Sequence, residues 1–524
     1  MAVTAQSAAR TVGQIMSRPV VTASPWETLQ MAADVMAEQG VGSVVVVENE
    51  KPIGILTERD LVRLAAAGAN ARTEIIENWM VRDPETVEPT VEVVDALHRL
   101  SERGYRHIPV VEGGNVVGLV SMRDLMKIAE IRPFGTLAID VPKGLKGVVV
   151  AETKIGDVRG TEGFYHYRQY SAIELAEKCT LEAVWHLLYE GRLPNHDELE
   201  ALKKQLRTER VIPPEIKDLL PSVAKLGETF RPLEALRSAL SLMASAWDFK
   251  PWLDTDMEDL KSQAFRVCAV IPTLVTALHR LNHGLEPVEP HPDLSYAANY
   301  LYMWKGEEPP PLHAEAMEKY LISTIDHGFN ASTFTARVVT STGADLGSAI
   351  VAALGSLSGP LHGGAPSRAL EMLDAIKTPE EADEWIRSAI QRGQKIMGFG
   401  HPVYKTDDPR SNMLRNLAEE LGGARVEFAK YIESRVIELL EELKPGRQLR
   451  TNVEFYAAIC MESIGLPPDL FTPTFACSRA IGWTAHILEQ ASDNRIIRPS
   501  GRYTGPPPPQ PIEGECGDRK LQEG

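Results

Sequence analysis

The sequence predicts a multidomain chain, an α/β (α+β) tandem pair of repeats followed by a mostly α-helical body. Three observations carry that reading. Residues 10–130 repeat themselves at a spacing of 64 without a gap. From about Val148 onward the apolar residues recur at helical spacing. The 524 residues also exceed what one hydrophobic core usually supports.

The repeat is visible residue by residue. Met16 aligns with Met80, Pro25 with Pro89, Gly40 with Gly104, Gly54 with Gly118 and Asp60 with Asp124. Each copy, about 10–73 and 74–131, opens on a proline-bearing turn and then predicts an amphipathic helix, Leu29 to Gln39 and Val93 to Arg103. A β-branched run follows, Val44 to Val47 and Ile108 to Val111, then a turn and a second strand. That strand ends in GILTERDL or GLVSMRDL. In each, a hydroxyl precedes a carboxylate by three residues, Thr57 with Asp60 and Ser121 with Asp124, which is a capping pattern for the next helix. A single unit of this size buries little surface, so two copies predict a pseudo-twofold pair around a shared face. The pattern resembles the cystathionine-β-synthase (CBS) domain pair. The resemblance implies an adenine nucleotide effector (ATP, ADP or AMP) between the repeats, with Thr57, Asp60, Ser121 and Asp124 on its ribose and phosphates. Capping and ligand contact can coexist.

Residues 132–149 carry prolines and glycines and lose the repeat, so they read as a linker. The body spans 150–505. Within it Thr180 predicts the cap of a helix with apolar residues at Leu181, Val184, Trp185 and Leu188, stopped by Gly191 and Pro194. Gly347 to Leu357 is dense in Ala, Gly and Ser, which suits a close helix–helix contact. Residues 506–524 are Pro-rich and polar and read as a flexible tail.

Composition narrows the function. Hydrophobic residues make up 44% and charged residues 24%, as in ordinary globular proteins. A formal net charge of -17 argues against nucleic acid and anionic membrane surfaces as partners. Acidic substrates then need local basic residues. No stretch approaches the ~18 apolar residues of a membrane span, and the N-terminus lacks an apolar signal core. Cys179, Cys268, Cys460, Cys477 and Cys516 show no paired spacing, which suggests a reducing cytoplasm and no disulfide framework. With neither CxxC nor HExxH, no metal site is signalled.

Four segments stand out as carriers of chemistry: DHGFNAS from Asp326, GPLHGG from Gly359, GFGHPVYK from Gly398 with Asp408-Pro409-Arg410 after it, and NVEFY from Asn452. Glycines around a histidine let a ligand approach the backbone, and histidine exchanges protons near neutral pH. The gaps of 35 and 39 residues between His327, His362 and His401 do not resemble metal-ligand spacing.

Here the resemblance becomes specific. DHGFNASTFTARVVTSTGADLGSAIVAALGSLSGPLHGG, GFGHPVYKTDDPR, TNVEFY, FACSRAIGW and RIIRPSGRY are similar, in that order, to five motifs of the citrate synthase family. The resemblance implies a body with a large domain and a small one, the latter about 370–475, that closes over substrate. It implies condensation of acetyl-CoA with oxaloacetate, with no tightly bound cofactor. By the same resemblance His362 would hold the thioester oxygen, Glu454 would remove the α-proton, and His401 would polarise the oxaloacetate carbonyl. His327 would hydrogen-bond oxaloacetate, and Arg410, Arg479 and Arg498 would clamp its carboxylates. Arg498 would reach a neighbouring subunit, so the active unit would be at least a dimer. Glu454 stands where the best-known members carry Asp. Two other readings stay open: a 2-methylcitrate synthase using propionyl-CoA, and a nucleotide-sensing binding protein on a catalytically degenerate body.

Overall fold

The computed structural model describes residues 11–93, 95–96, 99–100, 105–122, 124–125, 141–145, 147–363, 365–400, 404, 406–446, 449–501, 503–506 and 508–509. The chain divides into two compact units, Met1–Val148 with Pro499–Gly524, and Val149–Arg498.

In the first unit the valine-rich runs form strands, as β-branched residues favour. β1 (Thr22–Ala23) runs parallel to β2 (Ser43–Glu48), and β2 pairs antiparallel with β3 (Lys51–Thr57), which pairs antiparallel with β4 (Val81–Arg82). β5 (His107–Glu112) and β6 (Asn115–Ser121) form the second hairpin. The spacing of 64 holds in three dimensions. The Ile55–Val81 pair recurs as Leu119–Ser17, and Ala23–Val46 recurs as Val87–Val110. The bulge after Val46 recurs after Val110. Each repeat therefore lends an edge segment to the other's sheet. Met80 joins the first hydrophobic core and Met16 the second. A Cβ on Gly54 would lie 2.3 Å from the Met80 sulfur, and one on Gly118 would lie 2.1 Å from the Met16 sulfur, so the aligned Gly and Met residues form one packing device.

α1 (Leu29–Gln39) spans the expected residues, with Thr28 as N-cap and Gly40 in the left-handed conformation at its end. It buries Leu29, Ala32 and Met36, one face of a helix. The equivalent positions Val93, Ala96 and Leu100 are buried too, on the described helical residues of the second copy. The rest of the helix expected from Val93 to Arg103 lies outside the described residues. α2 (Glu58–Ala66) starts at Thr57, as the capping pattern predicts.

The second unit is mostly helical, and among its described residues it also holds a small sheet that the helical spacing did not predict. β7 (Gly156–Arg159), β8 (Phe164–Tyr167) and β9 (Tyr170–Ser171) form an antiparallel sheet. Tyr165 and Tyr167 alternate inward and donate to the carbonyls of Ser323 at 3.0 Å and Ile322 at 2.8 Å. Four alternating residues are too short a pattern to stand out in sequence. α3 (Leu181–Glu190) has the expected Thr180 cap and Gly191 stop. α4 (Pro232–Ala246) and α7 (Leu346–Leu357) meet closely, since a Cβ on Gly347 would lie 2.4 Å from the Ala244 Cβ.

α5 (Met257–Asn282) corrects another expectation, because by length and composition it is apolar enough to cross a membrane. Its apolar window is 83% buried inside the unit, the signature of a central core helix. α6 (Ala331–Ser341), α7 and the buried α11 (Phe471–Ser492) pack together, and α5 also packs on α11. α8 (Pro409–Leu421) and α9 (Ala424–Leu443) each pack on α10 (Val453–Ser463).

Candidate active site

The residues singled out in the body converge through the ends of these helices. Asn330 caps α6, its Oδ1 accepting from Thr333 N at 3.0 Å. Asp326, just before the cap, is buried; its Oδ2 accepts from Gly328 N at 3.2 Å and its Oδ1 contacts His486 Nε2 at 3.2 Å. Arg337 donates to His486 Nδ1 at 3.0 Å, so the ring proton sits on Nε2 and faces Asp326. Burial pushes the Asp326 carboxyl up, but His486 and Arg479 outweigh it and hold it below the usual carboxylate range. This buried network anchors the loop that carries His327. His327 Nε2 bonds the Tyr404 hydroxyl at 3.0 Å, and its ring packs between Tyr165 and Tyr404.

His362 lies in the turn after α7. Its Nε2 faces Ser332 Oγ at 2.7 Å and Ser332 N at 3.4 Å. A backbone N–H can only donate, so the Ser332 N contact makes Nε2 an acceptor and leaves the ring proton on Nδ1; the Ser332 hydroxyl, which also faces Asn330 Oδ1 at 2.8 Å, has one hydrogen for these two acceptors. Nδ1 has no hydrogen-bond partner among the described residues. The Trp483 indole donates to Ser332 Oγ at 3.1 Å and fixes that hydroxyl in turn. Burial, with Arg479 adding to it, lowers the His362 pKa to about 4. The imidazole is therefore neutral at neutral pH, with an N–H free to donate.

Two arginines face this space. Arg410 is buried and pairs with Asp408 through Nε at 3.0 Å and Nη2 at 2.8 Å, and its Nη1 has no hydrogen-bond partner among the described residues. Arg479, on α11, uses Nε on the Thr324 carbonyl at 2.9 Å and stacks on Phe475.

Glu454 sits in the first turn of α10, where several segments meet. Asn452 caps the helix, Asp408 Oδ2 accepts from Val453 N at 3.2 Å, and Thr451 donates to Glu433 at 2.6 Å. Although Glu454 keeps some accessible surface, burial raises its pKa to about 7; Arg410 and Arg479 oppose the rise and Asp408 adds to it. The Arg479 charge thus acts on both Glu454 and His362.

The structure therefore brings together His327, His362, Arg410, Glu454 and Arg479. Arg498 is exposed and makes no contact with them among the described residues. His401 lies outside the described residues. Sequence reasoning assigned no role to Ser332, Trp483, Tyr165, Asp408 or Asn452. Four of these, all but Tyr165, stood inside quoted motifs, and only their partners in space reveal what they do.

In the other unit, Thr57 donates to Asp60 Oδ2 at 2.8 Å through its hydroxyl and at 3.0 Å through its backbone N–H, while Arg63 reaches Asp60 Oδ1 at 3.1 Å. Ser121 donates to Asp124 at 2.5 Å and accepts from its N–H at 3.2 Å. The capping role holds in both copies.

Comparison with known proteins agrees with these observations. Sequence models match residues 144–500 as "Citrate synthase, C-terminal domain" and residues 12–67 and 74–130 as CBS domains. The chain is 42% identical to citrate synthase 2 of Bacillus subtilis over 70% of its length and 96% of that protein. It is 37% identical to a 2-methylcitrate synthase of Mycobacterium tuberculosis, over 70% of its length and 91% of that protein. The structure of citrate synthase from Thermoplasma acidophilum, in ternary complex with carboxymethyl coenzyme A and oxaloacetate, superposes with a TM-score of 0.67 at 29% identity. That match covers 71% of this chain and 98% of the other.

Proposed function

The chain belongs to the citrate synthase family and is a citrate-synthase-type transferase with an N-terminal CBS pair, and from that premise we propose that it condenses acetyl-CoA with oxaloacetate to citrate under adenine nucleotide control. The observation that carries the proposal is the pairing of a neutral His362 with a carboxylate lifted to about 7 at Glu454. A thioester α-proton is a weak acid, so a carboxylate alone removes it poorly. A donor aimed at the forming enolate oxygen must act at the same moment. His362 Nδ1–H supplies that donor while Glu454 takes the proton. The enol carbon then attacks the ketone carbon of oxaloacetate, and His401 protonates the new alkoxide. Water finally cleaves the citryl thioester and releases coenzyme A. His327, Arg410 and Arg479 hold the oxaloacetate dianion, since forked guanidinium groups suit carboxylates and offset the chain's net negative charge. Arg498 completes the clamp across a subunit boundary in an oligomer of at least two chains. Closure of the small domain excludes water until the carbon–carbon bond has formed.

One methylene changes binding by only ~1–3 kcal/mol, so the 2-methylcitrate relative keeps propionyl-CoA in view. The test is product identification from an equimolar mixture of acetyl-CoA and propionyl-CoA with oxaloacetate, with and without ATP, ADP and AMP. Citrate as the main product and a rate that changes with one nucleotide are expected. Mainly 2-methylcitrate would reassign the substrate, and a rate indifferent to all three nucleotides would remove the regulatory role of the CBS pair.

A further inference from the structure

We infer that Asn452 is a positioning residue of the condensation, a single amide that ties the GFGH loop to the helix bearing Glu454; the inference rests on the citrate synthase reading above. Asn452 Oδ1 accepts from Glu454 N at 3.0 Å, and Asn452 Nδ2 donates to the Gly400 carbonyl at 3.0 Å. The first partner only donates and the second only accepts, so the amide has one orientation. One of these partners is the proposed base. The other immediately precedes His401 in the chain.

The surroundings make the tether stiff. Gly400 N donates to the Arg450 carbonyl at 2.7 Å and Asn452 N to the Gly398 carbonyl at 2.9 Å, on either side of an antiparallel bridge between Phe399 and Thr451. Gly398 and Gly400 both hold φ at 84°, a conformation that other residues adopt only with strain. A Cβ on Gly398 would lie 2.9 Å from the Phe455 Cβ, so the loop is pressed onto α10. Behind the cap, Glu433 receives the hydroxyls of Thr451 and Tyr456, each at 2.6 Å. Aspartate caps a helix as well as asparagine does but has no hydrogen to donate. Capping alone therefore does not require asparagine here, whereas joining the two segments does.

The experiment compares the full-length Asn452→Asp and Asn452→Ser variants with wild type. Both retain a good N-cap and lose the donor to Gly400. Thiol release is measured on the high-pH plateau, so that the added aspartate charge no longer affects the ionisation of Glu454. A thermal midpoint close to wild type is expected for at least one variant. Its kcat should fall about a hundredfold, the scale of a small misplacement of reacting groups. KM for oxaloacetate should change little, and the primary isotope effect with methyl-deuterated acetyl-CoA should rise. Undiminished kcat in both variants beside an active wild type overturns the inference alone. So does a loss that merely tracks the fraction of unfolded protein, with kcat per folded enzyme preserved. A wild type that releases no thiol removes the citrate synthase reading and this inference with it.

Discussion

At neutral pH the Glu454 carboxyl is divided between its two protonation states, and only the ionised one can act as a base. Burial raises its pKa to about 7 against the pull of Arg410 and Arg479. The sign follows directly: kcat/KM for acetyl-CoA should climb with pH through about 7 and then level off. An acid limb in the ordinary glutamate range would contradict this. His362, lowered to about 4, should add no limb of its own near neutrality. The same residue shows where sequence reading stops. GPLHGG marked His362 as a candidate, but which ring nitrogen is left to donate depends on Ser332, thirty residues earlier in the chain. Likewise the pairing of Arg410 with Asp408 was two letters away in sequence, yet spacing alone says nothing of its burial or its bidentate geometry.

Among the elements, α11 places Arg479, Trp483 and His486 at the site and is held against the loop before His327 by Gly482. A Cβ on Gly482 would lie 2.1 Å from the Ile325 carbonyl oxygen. In an open helix, Gly→Ala stabilises by ~1 kcal/mol through propensity. Here the opposite is expected: Gly482→Ala should cost about 1–3 kcal/mol by overpacking against backbone that cannot swing aside. It should also weaken oxaloacetate binding, because Asp326 and His327 must move. Chemical denaturation and ligand titration check both effects, and a stabilised variant would refute the packing argument. Elements with a long period were legible in advance, α1 and α3 among them, because cap, apolar face and stop agreed. The β7–β9 sheet was not, since its inward residues Tyr165 and Tyr167 are too few to set a period. The spacing of 64 predicted paired repeats. That Ser17 and Val81 each complete the other repeat's sheet is a three-dimensional fact that the alignment could not supply.

For the whole molecule, the helical unit carries a pH-sensitive element away from the site. Glu318 accepts from Leu181 N at 3.1 Å beside Glu182, whose Oε2 is buried without a partner among the described residues. Burial first, and Glu182 second, raise the Glu318 pKa to about 7. The folded chain therefore binds a proton there that the unfolded chain releases. That contribution is fully present below the ordinary glutamate pKa and is lost as pH rises through about 7. The loss is on the order of 3 kcal/mol. Glu318→Gln should flatten the fall in stability between mildly acidic and mildly alkaline pH, read as denaturation midpoints. An unchanged slope would count against it.

If this chain makes a carbon–carbon bond with Glu454 as base, removing that carboxylate must all but abolish turnover. The most direct measurement is coenzyme A thiol release from acetyl-CoA with oxaloacetate, by wild type and by Glu454→Gln at equal folded concentration. Oxaloacetate-dependent release by wild type is expected. The variant should lose about 10²–10⁴-fold, with oxaloacetate binding retained. Equal release by both proteins, or none by wild type, would contradict this.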